Sequence, residues 1–204
     1  MSNLAYKYDV MKKEELIDGK IVMMSPRPAI NHNRIVTNIS GIFYNYLKGK
    51  RCQSFCDGTE VWLDEKNHFI PDAMIVCNPD IIGSHHIDGA PDLVVEVLSP
   101  STYDRDMTVK MAAYARAGVK EYWIVEPEAR RVAVHLLKGD AYELSASYYP
   151  YTEEDYKHMD EEDVVIARQR IKLKVSLYDD LIIDMADIFE RVKWAAAGSS
   201  CSIM

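Results

Sequence analysis

What this chain lacks narrows its chemistry before any motif is read. Only four of its 204 residues are cysteine, and Cys52, Cys56, Cys77 and Cys201 form no C-x-x-C pair. A structural zinc would need two further ligands, and His68, His85 and His86 do not offer an H-x-x-x-H spacing. The N-terminal stretch MSNLAYKYDVMKKEEL has no unbroken apolar core or small-residue cleavage site, so a cytoplasmic location is expected, with reduced thiols and no disulfide framework. No run approaches the ~18 apolar residues of a membrane span, and no internal repeat is visible. Positive charge is scarce as well: 24 Lys and Arg against 32 Asp and Glu give a formal net charge of -8. That excludes a protein that coats nucleic acid through a general positive field, but it permits a local patch. Arg27, Arg34, Lys48, Lys50 and Arg51, then Arg105 with Lys110, then Arg168, Arg170, Lys172 and Lys174 are the candidates, any single one of them more readily solvated surface than a binding group.

What is present suits one α/β domain over residues 1–194, followed by a tail, AAAGSSCSIM, at 195–204 with little to pack. The tail ends in a formal C-a-a-X box, but no polybasic segment precedes it and prenylation is not expected. Near the start, MKKEEL suggests a short helix, Asp18-Gly19 a tight reversal and KIVMM a strand. Over residues 31–48, Ile35, Ile39, Ile42, Phe43 and Tyr46 recur at three- and four-residue spacing, which predicts an amphipathic helix capped by Asn31 or Asn33. SFCDGTEVWL has strand character, FIPDAMIVC and PDLVVEVL read as strands buried on both faces, and residues 78–90 as a loop or short helix between them. A helix follows, with Met107, Met111, Ala112 and Ala115 on its apolar side, Gly118 as its stop, and Ser101, Thr102, Asp104 or Asp106 as candidate caps. EYWIV and VAVHLL are strands, and strand, helix and strand in succession imply a parallel crossover. AYELSASYY, the end of MDEEDVV and RQRIKLKVS are expected as further strands, and LYDDLIIDMADIFERV as a mixture of strand and helix.

The chemistry centres on Glu96, a lone carboxylate inside the apolar run VVEVL. An ionised acid in a buried strand needs a partner, and such residues favour functional sites. Asp72 opens the other apolar run, PDAMIV, after the same Pro-Asp start, and Lys110 lies in the following helix with Asp106 and Tyr114 at i-4 and i+4 on one face. Two acids and a lysine suit phosphodiester hydrolysis. A divalent ion held by hard oxygens, here Asp72, Glu96 and the carbonyl of Val97, neutralises the charge of the transition state, while Lys110 orients water or offsets charge on phosphate. The plainer alternative makes Glu96 a structural acid paired with Lys110, Arg105 or His32, Asp72 a turn former like Asp92, and Lys110 a solvated helix residue. His32, at the start of the first long helix, could touch the bound water or a phosphate, or could simply lie at the surface. Glu15 and Glu60 are further acids that no motif places, and Tyr103, Tyr114, Tyr122 and Trp123 read as core or strand residues.

In order and spacing, ELIDGKIVMMSP, His32, PDAMIV, PDLVVEVLSPST, and Lys110 with YARAGVKEYWIVEP resemble the Uma2-like family, formerly a domain of unknown function and grouped with restriction endonucleases. The resemblance spans residues 15–189 and implies the PD-(D/E)XK nuclease fold, a mixed β-sheet core flanked by helices, here with additional β-strands. It makes Asp72 the first acid and Glu96 the second. The superfamily lysine would stand at position 98, where this chain has Leu98, and Lys110 matches the Uma2-like lysine supplied from the next helix. Implied with it are Mg2+ or Mn2+ as cofactor, DNA as substrate and a homodimer without membrane attachment. The alternatives are a catalytically inactive nuclease-fold binding or assembly module and, ranked last, a two-carboxylate glycosidase that gives Lys110 no role.

Overall fold

The computed structural model describes residues 14–23, 29–99, 104 and 106–193. Arg27, Arg105, Tyr103, Ser101, Thr102, the first residues of MKKEEL and the 195–204 tail lie outside them. Three sheets carry the fold. The first strands, β1 (Glu14–Ile17) and β2 (Lys20–Met23), form a hairpin across Asp18 and Gly19, whose φ values of 48° and 74° are those of a two-residue type I′ turn. The end of MKKEEL is therefore strand rather than helix, because pairing with KIVM overrides its local helical preference.

Helix α1 (Ile30–Leu47) buries Ile35, Val36, Ile39, Phe43 and Leu47 on one face, as the spacing predicts. Its N-cap is Ala29, without a side-chain cap, so neither Asn31 nor Asn33 plays that part. Asn31 instead exchanges hydrogen bonds with the backbone of Lys193, 2.7 Å and 3.2 Å long. Strands β3 (Gln53–Cys56), β4 (Glu60–Asp64), β5 (Asn67–Phe69), β6 (Ala73–Val76), β7 (His86–Asp88) and β8 (Leu93–Val97) follow. A five-residue π-helical turn, Asp106–Lys110, leads into α2 (Met111–Ala117), which stops at Gly118 with φ 90°. Strands β9 (Glu121–Glu126), β10 (Arg131–Lys138) and β11 (Ala141–Tyr148) then extend the main sheet. Residues Glu161–Gln169 form a helix where a strand was expected at VV, since three acids in its first turn favour the positive end of a helix dipole. Strands β12 (Lys172–Lys174) and β13 (Ile182–Asp184) pair with each other beside the main sheet.

The six-stranded sheet runs β11-β10-β9-β8-β6-β3, with β8 and β9 parallel, as the crossover through α2 requires. Its centre is apolar on both faces because both are covered. Ala73, Ile75, Leu93, Val95, Val97, Trp123 and Val125 face α1 and the C-terminal elements in one core. Met74, Val76, Val94, Leu98, Tyr122 and Ile124 face the second core, shared with α2 and the five-stranded sheet β2-β1-β5-β4-β7. Alternation of side chains along each strand assigns Glu96, between Val95 and Val97, to this second side. No helix among the described residues is long and apolar enough to cross a membrane.

Cys52 and Cys77 are joined in a disulfide, which overturns the expectation of reduced thiols for this pair. They extend the β3–β6 register of Gln53 with Val76 by one step, a proximity that arises from strand pairing 25 residues apart and is invisible in local spacing. Denatured but unreduced protein is expected to titrate two thiols, Cys56 and Cys201, and all four after reduction. Four reactive thiols before reduction would count against the bridge.

Candidate functional site

The crossover from β8 through the π turn and α2 to β9 delivers the central group. Glu96 points from β8 into the second core with 3% of its surface exposed. The π turn aims both Asp106 and Lys110 inward, and each is 2% exposed. Lys110 Nζ lies 2.8 Å from Glu15 Oε1, 3.1 Å from Glu96 Oε1 and 3.3 Å from Asp106 Oδ1. An ammonium has three donors, and three carboxylates surround this one. Tyr114, one turn on, donates its hydroxyl to the same Glu96 oxygen at 3.1 Å. Glu15 Oε1 also accepts the backbone N–H of Ile70 at 3.0 Å, and Tyr122 donates its hydroxyl to the carbonyl of Asp106.

Three acids about one cation leave negative charge in excess in a dry environment. Burial pushes the Glu96 carboxyl well above its ordinary value; Lys110 opposes this, and Asp106, Asp72 and Glu15 add to it. Burial alone would lower the Lys110 ammonium, but Glu96, Glu15 and Asp106 outweigh it and raise its pKa. The Tyr114 hydroxyl is also held neutral, by burial first and by Glu96 next.

Asp72 stands just before β6, and the register that pairs Ala73 with Val95 brings it opposite Glu96. Its two oxygens are engaged separately. Oδ2 accepts the backbone N–H of Val97 at 2.6 Å, and Oδ1 meets His32 Nε2 at 3.0 Å. Burial acts against a charged His32, but the hydrogen bond and charge of Asp72, joined by Asp57 and the backbone of Val97, carry its pKa above the usual histidine value. His32 Nδ1 is a buried atom with no hydrogen-bond partner among the described residues. Beyond His32 opens a cleft of about 400 Å³ bounded by the first turn of α1, Leu98 and Ser99, the turn at Pro127 and Glu128, and Lys193.

All four residues expected at the site thus lie at this end of β6 and β8, Glu96 with Lys110 and Asp72 with His32. Glu15, which no motif in the sequence places, lies nearest to Lys110. Had EELI been read as a strand, alternation would have placed Glu15 inward beside Ile17. Asp106 was read only as a cap or a face-mate of Lys110, and Glu60 accepts a bond from Trp62 Nε1, away from the cluster. The hard oxygens of Asp72 and Glu96 and the Val97 carbonyl suit Mg2+ or Mn2+ in donor chemistry. Among the described residues, however, no three His, Cys, Asp or Glu side chains are arranged to hold a metal ion. Glu96 Oε1 and Asp72 Oδ1 are turned instead to the side chains of Lys110 and His32.

A sequence model described as "Uma2: Putative restriction endonuclease" matches residues 7–161. An uncharacterized protein of Synechocystis sp. is 30% identical over 139 residues, which span 67% of this chain and 73% of that protein. In fold, the chain is similar to the crystal structure of a "putative nuclease belonging to DUF820" from Anabaena variabilis, with a TM-score of 0.63 at 20% identity over 86% of this chain and 89% of the other.

A carboxyl whose folded pKa lies above its ordinary 4.5 binds its proton more tightly in the folded state. Its contribution to stability is therefore full below that value and is lost as pH rises through the folded pKa. Glu96→Gln removes this loss. By urea unfolding, the variant is expected to gain on the wild type progressively as pH rises above the ordinary carboxylate range. Parallel profiles for the two proteins would contradict the raised carboxyl.

Proposed function

The chain belongs to the Uma2 family, described as putative restriction endonucleases, and from that premise we propose that it is a divalent-metal-dependent DNA endonuclease acting through Asp72, Glu96 and Lys110. One observation carries the reading. Lys110, in the π turn after β8, lies 3.1 Å from Glu96, with Asp72 opposite on the neighbouring strand, so a lysine reaches the second acid although position 98 holds Leu98.

Asp72, Glu96 and the carbonyl of Val97 are the groups that would hold Mg2+ or Mn2+. When bound, such an ion supplies Lewis-acid stabilisation of the phosphate and a more acidic water. The protein contributes orientation and charge. The Val97 N–H fixes one oxygen of the Asp72 carboxylate and His32 the other, and His32, kept toward its charged form by Asp72, adds positive charge beside a bound phosphate. Lys110 holds the Glu96 carboxylate in place through the crossover, and Glu15 and Asp106 hold Lys110. For Lys110 to orient water itself, one of these acids must release a donor. Two copies of the chain, one for each strand, would complete double-strand cleavage.

One observation favours a second reading, a nuclease-fold module that binds or assembles without cutting. The Lys110 side chain is 3% exposed and all three of its donors face carboxylates. Such a cluster could serve the fold alone.

Plasmid and duplex oligonucleotide cleavage separates the two. The wild type is expected to cut in Mg2+ or Mn2+ and not in EDTA, with Asp72→Ala and Glu96→Gln each losing about 100-fold or more in rate. A folded wild type that cuts nothing, together with Mn2+ binding that Asp72→Ala leaves unchanged in calorimetry, would establish the second reading.

A further inference from the structure

The cleft beyond His32 is not needed to hold a metal, and its position gives it a use. β8 runs from Leu93 to Val97, and the cleft begins with the next two residues, Leu98 and Ser99. His32 belongs to both places, since it lines the cleft and meets Asp72 at 3.0 Å. A group bonded to a phosphate held at Asp72 and Val97 through a divalent ion would have this space beside it, past His32.

The walls favour a flat or compact organic group over bulk solvent. Ile30, on the first turn of α1, is 81% exposed, the largest such exposure of a large hydrophobic side chain among the described residues. Every buried side chain of α1 points the other way, into the first core, so Ile30 serves the cleft rather than the fold. Leu98 and Pro127 provide the other apolar surfaces. Lys193 adds a cation on the same wall as Ile30, because Asn31 clamps its backbone from both sides, while Glu128 lies on the turn opposite. A volume of about 400 Å³ is near the lower end of small-ligand sites and takes one such unit rather than a duplex.

We propose that this cleft is the subsite for the nucleoside adjoining the scissile phosphodiester, its base or deoxyribose held between Ile30 and Pro127 and its outer phosphate directed to Lys193. The assignment rests on the endonuclease reading for the identity of the substrate, and it makes Ile30 and Lys193 substrate-positioning residues. Apolar side chains that press against bases recur in nucleic-acid binding, and each neutralised phosphate adds to the salt dependence of affinity.

The test measures binding and cutting separately. Fluorescence anisotropy with a labelled single-stranded oligonucleotide, with Ca2+ in place of the catalytic ion, reports affinity without cleavage, and plasmid cleavage in Mg2+ or Mn2+ reports activity. Ile30→Ala and Ile30→Glu are expected to weaken binding by about 10-fold or more with unchanged thermal unfolding, because the side chain is exposed. Lys193→Ala is expected to lower the slope of log affinity against log salt by about one contact. Leu144→Glu, an exposed apolar position on β11 and not a cleft residue, controls for added charge and is expected to bind as the wild type does. A wild type that cuts while both Ile30 variants cut and bind equally well would overturn the subsite and leave the endonuclease reading intact. Binding that depends on Ile30 without any cutting would sustain the subsite and remove the endonuclease. A wild type that binds no oligonucleotide would overturn the subsite outright.

Discussion

Lys110 carries one positive charge into the layer between the two larger sheets, where Glu15, Glu96 and Asp106 close around it. The three acids come from β1, β8 and the π turn, so this ammonium ties the edge hairpin of one sheet to the central strand of the other and to the crossover helix. Breaking such a buried group by removing its cation would leave carboxylates without compensation, a change that typically costs about 3–5 kcal/mol. The rest of the second core is mostly apolar, with the Tyr114 and Tyr122 hydroxyls bonded to the cluster itself. The ion cluster is the part that specifies which face of β1 and which turn of the helix must meet β8.

The second polar group works from the other side of the same sheet. α1 belongs to the first core, yet His32 at its start reaches around the end of β6 to Asp72, whose other oxygen binds the Val97 N–H. Asp72 and Glu96 oppose each other across β6 and β8, each beside a basic residue of the protein. The excess of acid over base at this end of the sheet, expressed in the raised Glu96 carboxyl, is a stored preference for a cation or a proton.

Much of this was legible in local patterns. The period of 3.6 marked α1, the uninterrupted apolar runs marked β6 and β8, and Gly118 marked the end of α2, because each follows from a side chain meeting a face or a turn within a few residues. The i, i+4, i+8 spacing placed Asp106, Lys110 and Tyr114 together before any strand was positioned. Reading failed where a distant partner decided the outcome. EELI became strand by pairing with KIVM, EEDVV stayed helical through its acidic first turn, and Cys52 met Cys77 only because β3 lies against β6.

The chain's residues by themselves determined that Glu96 is buried and in need of a partner and that Asp72 and Lys110 flank it on neighbouring elements. Those conclusions depend on hydrophobic alternation and chain order, which are local properties. Only the tertiary structure decided that Lys110 reaches Glu96, that Glu15 comes nearer to it than either expected acid, and that His32 joins Asp72 beside an open cleft. Contacts between groups 14 to 95 residues apart are set by strand register and helix placement, and no local spacing encodes them.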